Sequence, residues 1–265
     1  MQPRRIPTYL VAGAVALLLA TAQPAVADTT LSLSFAATTN SPGVAFSLNG
    51  QSATAEPGPY FFVESLPGGG QAPIATFCME ISQGVTSSSV PYTIESLTNS
   101  NTTISANNGS SAAGVAKALE ALYGYYYNTW SALSGTAASN TYSAFQLAVW
   151  ELVYDGTADI ANPKSSTFFS AGNFQSPSST AEAEAQTWLN NVLNNTNQGI
   201  TDFNNNLPGL TLVALVNPTY QDQLWLDPTP AVSGVPAPPG IVLAGFGLFA
   251  LVGRARLIRR SAAAV

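Results

Sequence analysis

Two kinds of apolar spacing divide the chain. Short, partly alternating runs come first, at residues 29–37, 44–50, 60–65, 74–81 and 91–98. Clusters such as Pro67-Gly68-Gly69-Gly70 bound them, so they read as β-strands separated by turns. The spacing then becomes helical. Val115, Leu119, Leu122 and Tyr126 recur at helical intervals and predict a helix over 112–126. A second is predicted over 141–154, with Asn140 as its N-cap and Gly156 after its end. A third, over 180–194, carries Ala181, Ala185, Trp188 and Val192 on one stripe, with Glu182 and Glu184 in the first turn, where the helix dipole favours acidic groups. The Asn-rich stretch through Asn206 reads as loop, as do the polar segments 98–111, 131–143 and 170–180. Strands return at 210–216 and 221–226. Strands, helices, then strands predict an α+β fold over residues 28–227, and no solenoid repeat interrupts it.

The ends follow a different pattern. Arg4 and Arg5, the apolar run from Tyr9 to Ala22, and Ala25-Val26-Ala27 read as a secretory signal peptide over residues 1–27. Residues 228–239 hold five prolines and read as an extended linker. Residues 240–260 read as a single short membrane span, 241–253, closed by Arg254, Arg256, Arg259 and Arg260, with 261–265 as a tail. Val235-Pro236-Ala237-Pro238, an apolar span and an Arg cluster together resemble the PEP-CTERM sorting signal of bacterial exported proteins, with Ala237 where that family usually has Glu. The resemblance implies export machinery, passage through the inner membrane, and an exosortase-type protease that removes the tail. A simple tail anchor is the alternative. Either route places the central domain outside the cytoplasm, at the cell surface or in the extracellular matrix.

Charge sharpens this division. Six of eight basic residues lie in the two end segments, and all fourteen acidic residues fall between Asp28 and Asp227. That interval holds only Lys117 and Lys164 against them, a net of −12, which argues against a nucleic-acid partner. The chain has no His, which removes Ser-His-Asp and Cys-His catalysis and His-based metal sites. Asp155 and Asp159 around Gly156 do not match an EF-hand loop, and no P-loop or Rossmann glycine motif occurs. No cofactor or metal is expected.

The single Cys, Cys78, excludes an internal disulfide. Four roles compete for it: a buried small hydrophobe, a link to another chain, a nucleophile, or half of an internal bond. A nucleophile needs a base or a cation nearby, and the sequence supplies neither close by. Gln146 poses a second question. It shares a helix face with Tyr142, Val149, Trp150 and Val153, and a Gln amide buried there without partners costs about 1–3 kcal/mol. Hydrogen bonds to neighbouring backbone are the ordinary answer.

Phe77-Cys78, followed by Phe145-Gln146-Leu147-Ala148-Val149-Trp150, resembles the thioester domain of bacterial surface adhesins, with Met79 where those adhesins commonly have Tyr. The likeness covers roughly residues 60–227. It implies that Cys78 attacks the Gln146 amide, ammonia leaves, and an acyl thioester remains. It also implies that Phe77, Phe145 and Trp150 shield the bond from water. An amine or hydroxyl on a surface or matrix partner would displace the thiolate and stay attached. Such a domain acts once, so no enzyme with turnover is expected. The alternative is a non-covalent structural or exopolysaccharide-associated matrix protein with an inert Cys78. A hydrolase is the remote third reading. Its one carboxylate pair at helical spacing, Glu151 and Asp155, reads more readily as a solvated helix face.

Overall fold

The computed structural model describes residues 30–38, 43–99, 101–133, 136–156, 168–176 and 179–228. The first half supplies strands β1 (Thr30–Thr38), β2 (Val44–Leu48), β3 (Gln51–Ala55), β4 (Tyr60–Ser65), β5 (Gln71–Cys78) and β6 (Val90–Ser96). Helices α1 (Thr103–Asn108), α2 (Ala112–Ser131) and α3 (Thr136–Asp155) follow. After them come β7 (Phe174–Gln175), α4 (Thr180–Asn194), α5 (Thr196–Asn206), β8 (Thr211–Val216) and β9 (Gln223–Asp227). The chain is thus mixed helix and strand, with a strand-rich start, a helical middle and a return to strands.

Six strands close an antiparallel barrel in the order β1-β4-β5-β9-β8-β6. Each contributes an inward residue to one small core: Leu33, Phe62, Ile74, Tyr92, Val213 with Leu215, and Trp225. This is the alternation expected of strands with one filled face. β2, β3 and β7 form a separate sheet in the order β3-β2-β7. The β2–β3 turn is Asn49-Gly50, both at positive φ (51° and 78°), the conformation a two-residue hairpin turn requires.

The larger core lies among the helices and the outer face of β5. α3 runs through it. Every residue from Ser143 to Tyr154 is buried, so α3 is a central helix rather than a one-sided one. Within the expected stripe only Tyr142 is half-buried.

Several expectations need correction. α3 begins at Thr136, which places Asn140 inside the helix rather than at its cap, and converts much of the predicted 131–143 loop to helix. The predicted 98–111 loop contains α1. Thr102 caps it by accepting from Ser105 N at 3.2 Å, and Asp222 takes the Thr103 N–H at 3.1 Å. The Asn-rich stretch contains α5, which docks on α2 through Gly124 and Gly199. β3 and β7 fall in segments read as turn and loop. Glu151 is buried at 3% exposure, and Asp155 accepts the backbone N–H groups of Asn173 and Phe174, so the pair is no solvated face.

Among the described residues no helix is long and apolar enough to cross a membrane. The signal segment, the sorting motif and the apolar tail lie outside the described residues.

Candidate functional site

The site starts from a break in the barrel. β4 begins at Tyr60, opposite Thr76 of β5, so no β4 residue stands opposite Cys78. Pro57-Gly58-Pro59 precedes β4, and proline has no N–H to continue a ladder. β9 covers the other edge, where Cys78 pairs with Gln223 and Met79 N donates to the Asp222 carbonyl at 2.9 Å.

Gln146 fills the empty position. The Cys78 N–H donates to Gln146 Oε1 at 3.0 Å, and Gln146 Nε2 donates to the Cys78 carbonyl at 2.7 Å. The carboxamide thus makes the two bonds that a paired strand residue would make. One turn earlier on α3, Ser143 Oγ donates to the Pro57 carbonyl at 3.2 Å and ties the helix to the strand break. Cys78 and Gln146 are both fully buried.

The arrangement bears directly on acyl chemistry. The Cys78 N–H already polarises the Gln146 carbonyl, and a fixed donor there would hold negative charge as a tetrahedral carbon forms. Sequence reasoning missed this donor because it is backbone. The Pro-Gly-Pro break was its only signal in the chain.

The thiol itself is free and buried, and donates to the Glu80 carbonyl at 3.0 Å. Burial pushes its titration far above the usual thiol range. The Trp150 side chain and the Glu80 backbone pull the other way, while the Glu80 and Asp222 carboxylates push it further up. Cys78 is therefore a protonated thiol at neutral pH. Burial likewise raises the nearby phenols of Tyr60 and Tyr154, and ionisation of Cys78 would raise them further. Tyr154 Oη accepts the Ile81 N–H at 2.8 Å and fixes the chain just beyond Glu80.

The aromatic residues form two walls. Phe77 and Phe145 lie 4.6 Å apart, and Tyr123 and Trp130 close around them, at 4.9 Å from Phe145 and 5.1 Å from Phe77 respectively. Trp150 belongs to the second wall, between Phe46 at 5.9 Å and Phe174 at 5.8 Å. Of the other tyrosines, Tyr127 stacks on Tyr123, whereas Tyr126 stacks on Trp188 of α4 at 4.4 Å, and Tyr125 donates to Asn195 at the start of α5.

A cleft of about 560 Å³ adjoins the site and is lined in part by Glu80, Glu95, Asn101, Thr103, Tyr154 and Asp222. Asp222 organises its floor. Its carboxylate accepts from Thr103 Oγ1 at 2.7 Å and from Asn217 N at 3.2 Å. Among the described residues no group of acidic and Cys side chains could hold a metal ion.

The thioester-domain family model matches residues 75–198. The matched span holds both Cys78 and Gln146, and it supports a thioester-domain protein. It stops short of β8 and β9, although β9 pairs with Cys78. No curated protein and no solved structure matches the chain.

Electrostatics makes one prediction about stability. Glu120, Glu182, Glu184 and Asp222 all have carboxyls raised above the usual range, in each case chiefly by burial. A raised carboxyl contributes stability in its protonated form, which is complete below about pH 4 and lost as pH rises through the folded-state values. The thermal midpoint should therefore be higher near pH 5 than near pH 8. Asp222→Asn should flatten that slope. A midpoint that rises across this range would contradict the prediction.

Proposed function

We propose that this chain is an exported covalent-capture module, in which Cys78 and Gln146 form an internal thioester that a nucleophile on a surface or matrix partner opens. The carrying observation is the Gln146 carboxamide, buried and held against the Cys78 backbone by two hydrogen bonds. In forming the bond, Sγ attacks the Gln146 Cδ, the C–N bond breaks, and the thiol proton leaves with the nitrogen as ammonia. In capture, an amine or hydroxyl takes the acyl group and the sulfur regains a proton. Each domain acts once, without turnover. Phe77, Phe145 and Trp150 keep water from the bond until then.

The reading extends to the ends of the chain. A signal peptide exports it. The Val235–Pro238 motif, apolar segment and Arg254, Arg256, Arg259 and Arg260 sort it, with an exosortase-type protease as processing partner, to the cell surface or extracellular matrix.

One observation favours the second reading, a non-covalent matrix protein. The same two hydrogen bonds satisfy the Gln146 amide without any covalent bond. Intact mass separates the two. The covalent reading expects the purified chain to be lighter by one ammonia, to lack a free thiol, and to gain methylamine at Gln146. A full-mass chain that leaves methylamine unreacted would establish the second reading instead.

A further inference from the structure

The two atoms that exchange charge in the proposed reaction have unequal support. The Gln146 carbonyl oxygen has the Cys78 N–H. The sulfur sits in a fully buried site beside the Glu80 and Asp222 carboxylates. The only Lys or Arg among the described residues is Lys117, which is exposed on α2. A leaving thiolate there would have no counter-charge, and an unpaired buried anion is strongly disfavoured.

One side-chain donor stands ready. Trp150 follows Gln146 by one helical turn and is 1% exposed. Its indole N–H is buried and makes no hydrogen bond of regular geometry. Buried indole N–H groups ordinarily find a partner, so the vacancy calls for a reason. Phe46 and Phe174 pack against the ring, at 5.9 Å and 5.8 Å. The Trp150 side chain is nonetheless placed to ease ionisation of the Cys78 thiol.

Resting on the thioester reading, we infer that the Trp150 indole N–H is the donor that receives the Cys78 thiolate, both when sulfur attacks Gln146 and when a nucleophile expels it. In capture the amine nitrogen bonds to Gln146 Cδ, and the C–S pair of electrons leaves on Sγ. The indole N–H then donates to the anion. A proton from the new ammonium nitrogen finally passes to sulfur, leaving an amide and a thiol. The two donors divide the work: Cys78 N–H holds the oxygen and Trp150 N–H holds the sulfur. Trp150 is thus a working part of the site as well as a wall against water.

The test separates donation from packing. The full chain is made with Trp150→Phe and, separately, with Trp150→β-(3-benzothienyl)alanine, which keeps the shape of the ring but replaces N–H by sulfur. Two rates are followed by intact mass, appearance of the ammonia deficit after refolding and uptake of methylamine. Both should fall about tenfold to a hundredfold in both variants, the range for a lost hydrogen bond to a charged group. Wild-type rates in the isostere overturn the inference, whether or not Trp150→Phe is slow, since a slow Phe variant alone marks a packing role. Should Trp150→Phe fail to fold, the isostere decides by itself. A wild-type chain with no ammonia deficit would instead overturn the thioester reading, and this inference with it.

Discussion

Gln146→Glu should abolish covalent capture and also destabilise the protein by about 3 kcal/mol or more at pH 7. The chemical loss follows from the leaving group: a carboxylate offers no ammonia to displace. The structural loss follows from the ladder position. An oxygen would replace Nε2, which now donates to the Cys78 carbonyl at 2.7 Å. An ionised carboxylate would set acceptor against acceptor in a fully buried site, so the new group must keep its proton to keep the bond. Its titration would be raised, and the stability held by the protonated form would be lost as pH rises above about 4.3, the unfolded value. The deficit relative to wild type that still carries the Gln146 amide should therefore be small near pH 4 and large near pH 7. Denaturant unfolding at the two pH values reads this directly. Equal stability at pH 7 would show that the carboxamide does not stand in for a strand residue. Gln146→Ala serves as companion. It should give the full encoded mass and a free Cys78 thiol, and its stability loss should be nearly independent of pH, because it leaves the Cys78 N–H and C=O bare without adding a charge.

The second large effect lies away from the site. Gly124→Ala should destabilise the domain by about 3 kcal/mol, despite the better helix propensity of Ala. A Cβ at Gly124 would run into the Gly199 carbonyl oxygen and lie 2.6 Å from Phe203 N, so it meets backbone that cannot turn aside. From the other helix, a Cβ at Gly199 would lie 2.6 Å from the Ala121 Cβ and 2.7 Å from the Tyr125 ring. Each glycine lets the other helix approach. For a domain of this size the loss corresponds to a fall in thermal midpoint of roughly 6–12 °C. Gly84→Ala, whose Cβ would meet nothing, is the control and should stay within about 0.5 kcal/mol of wild type. A thermal midpoint for Gly124→Ala that matches the control would mean that α2 and α5 do not touch as described.

These two sites show where local pattern was informative and where it was not. Partial alternation marked β1, β2, β4 and β6, whereas β5, β8 and β9, which carry buried residues on both faces, showed as short apolar runs. The α4 stripe was equally plain, since Ala181, Ala185, Trp188 and Val192 are all buried on one side. α5 was invisible for the opposite reason. Only Gly199 and Phe203 are buried in it, and what holds it is the close approach to Gly124, more than seventy residues earlier in the chain. α1 has one buried residue, Ile104, and depends on Asp222, 119 residues after Thr103. β3 was legible but overlooked. Its residues are almost wholly exposed, yet Asn49-Gly50 is a strong hairpin signal. At the site, Cys78 and Gln146 stood out as residue types in unusual settings. The donor that links them is a backbone group, and only the Pro57-Gly58-Pro59 break hinted at it in the sequence. Trp150 showed as a hydrophobic wall in the pattern, while its unpaired N–H became visible only with its neighbours in place.

The closing of the barrel also sets an order of events. Cys78 and Gln146 are 68 residues apart, but the strand end that carries Cys78 is paired by Gln223 of β9, the last strand. Contacts between residues so distant in sequence form late, because the chain between them must first be confined. While the C-terminal part is still being made or threaded, the thiol and the amide are therefore ordinary side chains on a loose chain, with nothing to align them. The proposed bond formation would begin only when the final strand seats. On the proposed reading of an exported thioester domain, the reactive bond would thus be installed only after the whole domain has been threaded, past the nucleophiles met on the way.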